Sequence, residues 1–167
     1  HDWASSLLRW EGTAPDLTPF LTDYDLHLIG EGNHELLHEK LGAHLAEREG
    51  VAGVNFAVWA PNAREVAVVG DFNGWNPTAF YLSPRGSSGI WDGFIPGVEH
   101  GALYKFAITN QFTGQRAEKA DPVGFAAELR PKSASKVWDL SRYQWHDADW
   151  MASRARANSN DAPISVY

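Results

Sequence analysis

The sequence predicts a mainly β protein, an antiparallel β-sandwich with short flanking helices. From residue 53 onward, apolar residues recur at every second position, as in "GVNFAVWAP" and "REVAVVGDF". This is the period of strands that bury one face. The runs are short and closely spaced, and turn residues separate them, such as Pro61-Asn62 and Pro96-Gly97. Short strands joined by tight turns favour an antiparallel sandwich.

The remaining elements follow in chain order. Residues 1–30 are expected to be an irregular lead-in or linker with at most a short helix at 4–10, and residues 34–41 a short helix between a good N-cap, Asn33, and a stop, Gly42. Weaker strands are predicted at 79–83, 115–120 and 136–139. Residues 121–135 are expected to be a long connection, and 147–158 a helix. The predicted division is therefore a lead-in at 1–30, a sandwich at 31–142 and a connector at 143–167.

Composition narrows the range of functions. The 167 residues carry a formal net charge of -7 and no cysteine. An acidic balance argues against a nucleic-acid partner, and the absence of cysteine excludes disulfides, thiol nucleophiles and Cys-based zinc sites. The N-terminal sequence lacks the features of a signal peptide, and no apolar run is long enough for a membrane helix. We therefore expect a cytoplasmic protein with no membrane partner.

One stretch contains a zinc-hydrolase motif. Residues 34–38, "HELLH", match H-E-x-x-H, with His34 and His38 as potential ligands, Glu35 as a potential base and His44 at the spacing of a third ligand. The glycine of the longer pattern would fall at Leu41. A chance coincidence on a surface helix is the favoured interpretation, so no metal site is predicted, and the zinc hydrolase stays a remote alternative.

Paired carboxylates offer a second catalytic possibility. Asp147 lies close to Asp149 in the sequence, and Asp121 lies close to Glu118. Nothing in the sequence places either pair in a pocket, so solvated surface groups are expected and no catalytic residue is assigned.

The stretch "GDFNGWNP", residues 70–77, places a tryptophan in a turn. Turns run over the surface, so Trp75 is expected at or near solvent, where it either fills a local gap or binds a ligand. In the later strand, Tyr104 and Phe106 share one face and belong in the core, which directs Lys105 outward. Trp91 is expected to pack.

Several runs together resemble one family. The runs "VWAPNA", "GDFNGWN", "IPG" and "YKF" are typical of the family 48 carbohydrate-binding module, and the flanking "EKLGAH" and "ELRPKSAS" resemble the N-terminal region of bacterial 1,4-α-glucan (glycogen) branching enzymes. The resemblance covers roughly residues 22–167. It implies an immunoglobulin-like sandwich that precedes a catalytic barrel, and a barrel of that kind needs about 250 residues. The chain is thus expected to be a non-catalytic fragment without cofactor, with residues 143–167 leading into the missing barrel.

The resemblance also implies the site. Trp75 and Lys105 match residues that bind α-glucan in related modules, with Asn73 and Asn76 as helpers. Some modules add a second tryptophan after "YKF", where this chain offers Phe112. Expected partners are an α-glucan, such as glycogen or a maltooligosaccharide, and the barrel, which would dock on an apolar surface formed by residues 121–138 and 164–167. The alternative is a purely structural domain that buttresses the barrel without binding glucan.

Overall fold

The structure is a computed structural model that describes residues 20–157 and residue 163. The helices are α1 (Asp23–Glu31), α2 (Leu37–Lys40) and α3 (Ala148–Ala157). The strands are β1 (Gly42–Arg48), β2 (Val51–Trp59), β3 (Ala63–Gly70), β4 (Ser83–Pro84), β5 (Ile90–Pro96), β6 (Leu103–Asn110), β7 (Arg116–Lys119), β8 (Ala126–Ala127) and β9 (Ser135–Lys136). Short 3-10 turns lie at Asp71–Asn73 and Leu140–Arg142.

Two antiparallel sheets form the sandwich, which confirms the predicted fold class. One sheet has the strand order β1-β2-β5-β4, and the other has the order β3-β6-β9-β8, with β7 also paired to β6. Strands β7 and β9 share β6 as a partner because β7 pairs with its C-terminal half and β9 with its first two residues. Strand β7 therefore lies at the end of the sandwich where β6 finishes, and β9 lies at the end where β6 begins.

The core lies between the two sheets and is rich in aromatic rings. Phe56 from β2 packs edge-on against Tyr104 and Phe106 from β6, with ring centroids 5.0 and 6.4 Å apart. Alternate residues of β2 and β3 complete the core: Val54, Val58, Val66 and Val68. Each such buried side chain contributes about 1.5–3 kcal/mol relative to its exposed state.

Helix α1 is the main correction to the sequence interpretation, since it occupies the stretch expected to be irregular. It begins with a capping box: the Thr22 hydroxyl accepts from the Asp25 N–H, and the Asp25 carboxylate accepts from the Thr22 N–H. The helix covers the outer face of the first sheet, where Leu26 and Ile29 pack against a cluster that includes Ile90. This packing holds α1 against the sandwich.

The segment after α1 also differs from the prediction. The helix expected at 34–41 is only α2, four residues long, and residues 42–48 form β1, which was not predicted. In β1 the burial pattern alternates only weakly beyond its first two residues. The helix expected at 4–10 and the strand expected at 164–167 lie outside the described residues.

Downstream, the predicted elements are closer to the structure. The strand expected at 115–120 is β7, and the helix expected at 147–158 is α3. The strands expected at 79–83 and 136–139 shrink to the two-residue strands β4 and β9 and a single bridge from Tyr81 to Ala67. Among the described residues, no helix has the length and apolarity needed to cross a membrane.

Candidate functional site

The turn that follows β3 holds Trp75 in a left-handed backbone conformation. We call residues 70–76 the Trp75 turn. After the short 3-10 turn, Gly74 has φ 62° and Trp75 has φ 60°. A bulky residue with positive φ is uncommon, because its Cβ crowds the backbone. The Trp75 N–H donates to the Gly70 carbonyl at 2.8 Å, which fixes this conformation. Trp75 remains 36% exposed.

Asn73 locks the Trp75 turn from within. Its side-chain oxygen accepts from the Gly70 N–H at 3.0 Å, and its amide nitrogen donates to the Val68 carbonyl at 2.9 Å. The side chain thereby ties the turn back to the last residues of β3. Asn76 is arranged differently, because its oxygen accepts from the Thr78 N–H and hydroxyl. The NH₂ group of Asn76 has no protein acceptor among the described residues.

Gly70 and Asp71 fix the turn to the neighbouring strand. A Cβ on Gly70 would lie 2.2 Å from the Leu103 carbonyl and 2.4 Å from the Phe72 ring, so this position needs glycine for close approach. The Asp71 carboxylate accepts from the Leu103 N–H at 3.2 Å. The Trp75 turn therefore rests directly on the first residue of β6.

Lys105 lies beside this turn. It pairs across the sheet with Val69, the residue before Gly70, while Tyr104 pairs with Gly70 itself. Tyr104 and Phe106 are buried in the core, as predicted, and Lys105 is half-buried on the opposite face. The same outward face contains a buried apolar patch, Ala67, Val69 and Ala107. Lys105 thus emerges from a closely packed surface and not from an open one.

A groove next to this face escaped the sequence analysis. Its cavity volume is ≈ 550 Å³. This volume is typical of a small-ligand site, about 300–1,000 Å³. It is lined by residues of the Trp75 turn, β6, the β8–β9 connection and β9: Asp71, Gly101, Leu103, Glu128, Leu129, Arg130, Pro131, Lys132 and Lys136. Leu103 pairs with Lys136 and shares the face of Lys105. No local motif marks these residues, because the groove forms only when the long connection folds back onto β6.

The hairpin between β6 and β7 contains Phe112, the aromatic residue considered above as a counterpart of a second tryptophan. Phe112 at its tip is 77% exposed. The Arg116 side chain donates to the Thr109 hydroxyl at 3.4 Å. Trp91, in contrast, packs against the core and donates its indole N–H to the Ala60 carbonyl at 3.1 Å, as expected from its strand position.

The "HELLH" stretch does not form the helix that a zinc site would need. Helix α2 begins at Leu37, so His34 precedes it and does not share a helix face with His38. His34 Nε2 lies 3.0 Å from the Asp25 carboxylate, and its Nδ1 accepts from the Leu36 N–H at 3.3 Å. The two contacts identify the Nε2–H tautomer. This histidine is a structural partner of Asp25.

We call Thr22, Asp25, His34 and Lys40 the Asp25 cluster. Lys40 Nζ lies 3.2 Å from the Asp25 carboxylate, which also accepts from the Thr22 hydroxyl at 2.7 Å. Burial on its own would raise the pKa of Asp25, but the hydrogen bonds from His34, Thr22 and Lys40 outweigh it and hold the pKa well below its ordinary value. The carboxylate is therefore ionised and fully engaged in joining α1 to α2.

His44, the third residue of the zinc pattern, is also engaged elsewhere. Its Nε2 lies 2.9 Å from the Leu41 carbonyl, and its ring packs between Phe20 and Phe125. Within residues 20–157, no group of three or more His, Asp or Glu side chains is arranged to hold a metal ion.

Asp121 is a second correction, because it is buried and not the solvated surface group expected from sequence. Its carboxylate accepts from the Tyr104 hydroxyl and the Val123 N–H, and its own N–H donates to the Ser135 hydroxyl. Burial raises the pKa of Asp121, against the opposing effect of the Tyr104 hydrogen bond. Burial also raises the pKa of Tyr104, helped by the nearby carboxylate. Among the other carboxylates, Glu118 and Asp149 are exposed.

Fold and turn together define a class of protein: an immunoglobulin-like β-sandwich that holds an aromatic side chain on a rigid turn at one end of a strand. The chain belongs to the carbohydrate-binding module 48 family (Isoamylase N-terminal domain), whose family model matches residues 40–124, just over half of the chain. This match confirms the resemblance inferred from the sequence motifs.

Curated relatives extend the likeness over nearly the whole chain. The 1,4-alpha-glucan branching enzyme GlgB of Synechococcus elongatus is 55% identical over 150 residues, which cover 90% of this chain and 19% of the relative. The enzyme of the same name from Rubrobacter xylanophilus is 49% identical over 165 residues, which cover 95% of this chain and 23% of the relative. The chain therefore spans about a fifth of the length of these curated relatives.

Among solved structures, pullulanase from Bacillus acidopullulyticus is similar, with a TM-score of 0.51 and 20% identity. The similar region covers 67% of this chain and 13% of the pullulanase. At this identity the likeness shows a shared fold alone.

Proposed function

We propose that this chain is a non-catalytic α-glucan-binding and barrel-docking module of a glycogen branching enzyme. The parent enzyme would cleave an α-1,4-linked glucan segment and rejoin it through an α-1,6 linkage. One observation carries the binding role: the Asn73 side chain and a backbone hydrogen bond hold the Trp75 turn in place, and Trp75 still remains exposed. Lys105 pairs with Val69, the last residue before this turn. Holding the polymer on this module would raise its effective concentration near the barrel.

The chemistry of the turn suits a neutral glucan. The indole face of Trp75 offers an apolar surface for the C–H face of a glucose ring. The Lys105 ammonium and the NH₂ group of Asn76 supply hydrogen-bond donors for hydroxyl groups. Asn73 acts through Trp75, because its side chain holds the turn by bonds to Gly70 and Val68. With one aromatic residue, a dissociation constant on the order of 0.1–1 mM is expected, equivalent to about 4–5.5 kcal/mol.

The docking role is supported by exposed apolar residues in the second half of the chain. They occur along the connection and after β9, at Leu129, Trp138, Leu140, Tyr143 and Trp145. Leu129 is 89% exposed. A contiguous patch of exposed apolar residues marks an interaction surface, and these residues follow one another closely along the chain. We propose that this segment, with residues 143–167 as the connector, contacts the barrel.

The paired test of the binding role is a maltoheptaose titration and a thermal melt of the wild type and Trp75→Ala. Removal of the indole should weaken binding by about tenfold or more, because a central aromatic commonly dominates such an interface. Trp145→Ala is the matched control, since it removes another exposed tryptophan and should bind as the wild type does. Unchanged binding by Trp75→Ala would contradict the sugar role. A large fall in its melting temperature would favour the purely structural alternative.

The absence of catalysis is tested with amylose. Iodine colour and reducing ends should stay constant on incubation with the chain, because a (β/α)₈ barrel needs about 250 residues. Turnover that survives purification and is lost on mutation of this chain would refute the proposal that it is only a module.

A further inference from the structure

A groove at the opposite end of β3 has the composition of a second sugar site. It lies between the end of β2, the start of β3 and the β6–β7 hairpin, and its cavity volume is ≈ 440 Å³. We call it the Trp59 groove. Its lining includes Trp59, Asn62, Ile108, Asn110, Gln115 and Lys119. The volume is typical of a small-ligand site, about 300–1,000 Å³.

Trp59 forms an aromatic wall of this groove. It is 60% exposed at the end of β2, although the strand before it is buried. Gly89 makes room for the indole: a Cβ there would lie 3.0 Å from Trp59 Nε1, and the φ of 78° also favours glycine. The Gly89 carbonyl accepts from the Ala60 N–H at 2.8 Å, which closes the backbone behind the ring. The indole is thus supported on one side and accessible on the other.

Amide groups line the groove beside the indole. The Asn110 side-chain oxygen accepts from the Phe112 and Thr113 N–H groups, so its orientation is fixed and its NH₂ group is left to donate. The side-chain amides of Asn62 and Gln115 make no hydrogen bond within the described part of the chain. These amides offer both donors and acceptors to a ligand rich in hydroxyl groups.

Charge favours a neutral ligand. Lys119 is the one charged side chain that lines the Trp59 groove, and it makes no ion pair with any residue the structure describes. An acidic ligand would call for several cations, and a cationic ligand for a carboxylate. An aromatic wall, amides and a single ammonium group match the surface of an uncharged sugar.

The Trp59 groove is separate from the Trp75 turn. Strand β3 has eight residues between them, so its ends lie about 23 Å apart. The two sites also use opposite faces of the second sheet. Ile108 and Ala117 are paired on the face that Phe106 directs toward the core, whereas Lys105 lies on the outward face. All four residues of β7 are exposed, so its inward side is open at this end.

We propose that the Trp59 groove is a second binding site for α-glucan, one that takes a short stretch of chain independently of the Trp75 turn. The ligand class rests on the proposed function, and the place of the site rests on the groove itself. The affinity expected of a single aromatic with a few hydrogen bonds is on the order of millimolar, about 4 kcal/mol.

The experiment follows the indole N–H resonances of the isotopically labelled 167-residue chain during titration with maltoheptaose. The resonances of Trp59 and Trp75 are assigned with Trp59→Phe and Trp75→Phe. Both should shift and saturate, and the response of Trp59 should persist in Trp75→Ala. Gln115→Ala should weaken the response of Trp59 by about 3- to 10-fold, equivalent to one hydrogen bond, and leave that of Trp75 unchanged. Trp145, exposed elsewhere, is the internal control.

The outcomes separate the two proposals. A silent Trp59 beside a responsive Trp75 overturns the second site and leaves the proposed function standing. A Trp59 resonance that responds while the Trp75 resonance does not overturns sugar binding by the Trp75 turn and leaves the Trp59 groove as the glucan site. A Trp59 resonance that shifts with protein concentration in the absence of sugar, or equally with the β-linked oligomer cellohexaose, overturns the α-glucan assignment. Gln115→Ala keeps the test valid even where Trp59→Phe disturbs folding.

Discussion

The Trp75 turn and the Asp25 cluster are both held by polar side chains, but they differ in whether a side chain is left outside the hydrogen-bond network. In the Asp25 cluster, His34 and Lys40 both contact one carboxylate: the histidine donates a hydrogen bond to it, and the lysine balances its charge. In the Trp75 turn, Asn73 and Asp71 bond to backbone groups, and the exposed side chain of Trp75 is left outside the network. The Asp25 cluster uses all its polar groups within the protein and so stabilises the fold. The Trp75 turn uses its polar groups to hold an aromatic ring where a ligand can contact it.

The largest expected effect comes from the closed network. Asp25→Asn removes the charge that His34 and Lys40 contact, and it should lower the free energy of unfolding by about 2–4 kcal/mol, because a partly buried cation loses its partner. Asp23→Asn is the matched control on the same helix. Asp23 is fully exposed, its Arg85 partner is 3.8 Å away, and an exposed ion pair contributes little, so this variant should change stability little. Urea unfolding measures both. Equal effects of the two variants would show that the Asp25 cluster stabilises nothing beyond the helix terminus.

The pH dependence of stability sharpens the comparison. The folded pKa of Asp25 is lowered, so its contribution is present above the ordinary pKa of about 4 and is lost as the pH falls further. The folded pKa of Asp121 is raised, so its contribution has the opposite sign and is lost as the pH rises through and above that value.

Unfolding of the wild type, Asp25→Asn and Asp121→Asn should therefore be compared from about pH 7 to about pH 3. The deficit of Asp25→Asn should shrink on acidification, and the deficit of Asp121→Asn should grow. Parallel curves for all three proteins would contradict the assignment of both carboxyl groups.

A smaller effect is expected at Asn73. Asn73→Ala leaves the Gly70 N–H and the Val68 carbonyl without their partner and should cost about 1–2 kcal/mol of stability. It should also weaken maltoheptaose binding, although the side chain is not placed against the ligand. The control is Thr78→Ala, which removes a hydroxyl bonded to Asn76 in the same loop and should leave stability nearly unchanged. If Asn73→Ala binds maltoheptaose with full affinity, the position of Trp75 does not depend on the hydrogen bonds of Asn73.

The smallest expected effect distinguishes the contribution of the Trp75 ring from the strain of its left-handed backbone. Because Trp75 has φ 60°, Trp75→Gly should be more stable than Trp75→Ala by about 1 kcal/mol. Both should bind maltoheptaose equally poorly. Thermal melts of the pair measure the difference, and an Ala variant as stable as the Gly variant would show that the left-handed conformation relaxes without the indole.

The parts of the fold that the sequence predicted are those with a strong local signal. The strands around Phe56 and Phe106 alternate cleanly, and the turn residues between them leave few other arrangements. Strand β1 was missed because Gly42 was taken as the end of a helix, although it begins a strand. Helix α1 was missed although Thr22 and Asp25 form a capping box, which is a local signal that could have been used.

The candidate site divides in the same way. Strand parity was enough to direct Lys105 outward and Tyr104 inward, because both belong to one strand. The burial of Asp121 could not be predicted, since it depends on a tyrosine 17 residues away. The Trp59 groove needs the β2–β3 turn to meet the β6–β7 hairpin, where the Gln111 N–H donates to the Asn62 carbonyl. Contacts between such distant segments leave no local pattern.

Gly70 has a consequence for how this surface can change by mutation. It has no side chain to offer a ligand, yet the carbonyl of Leu103 occupies the space that any Cβ would need. In a survey of all substitutions, position 70 should tolerate almost no other residue for folding. Position 75 should tolerate most residues except proline and the β-branched ones for folding, because its φ is positive and its N–H donates to Gly70, but few residues for sugar retention. Two positions five residues apart would then be constrained for different reasons, position 70 by folding and position 75 by sugar binding. Only the constraint at position 75 would report on the function of this surface.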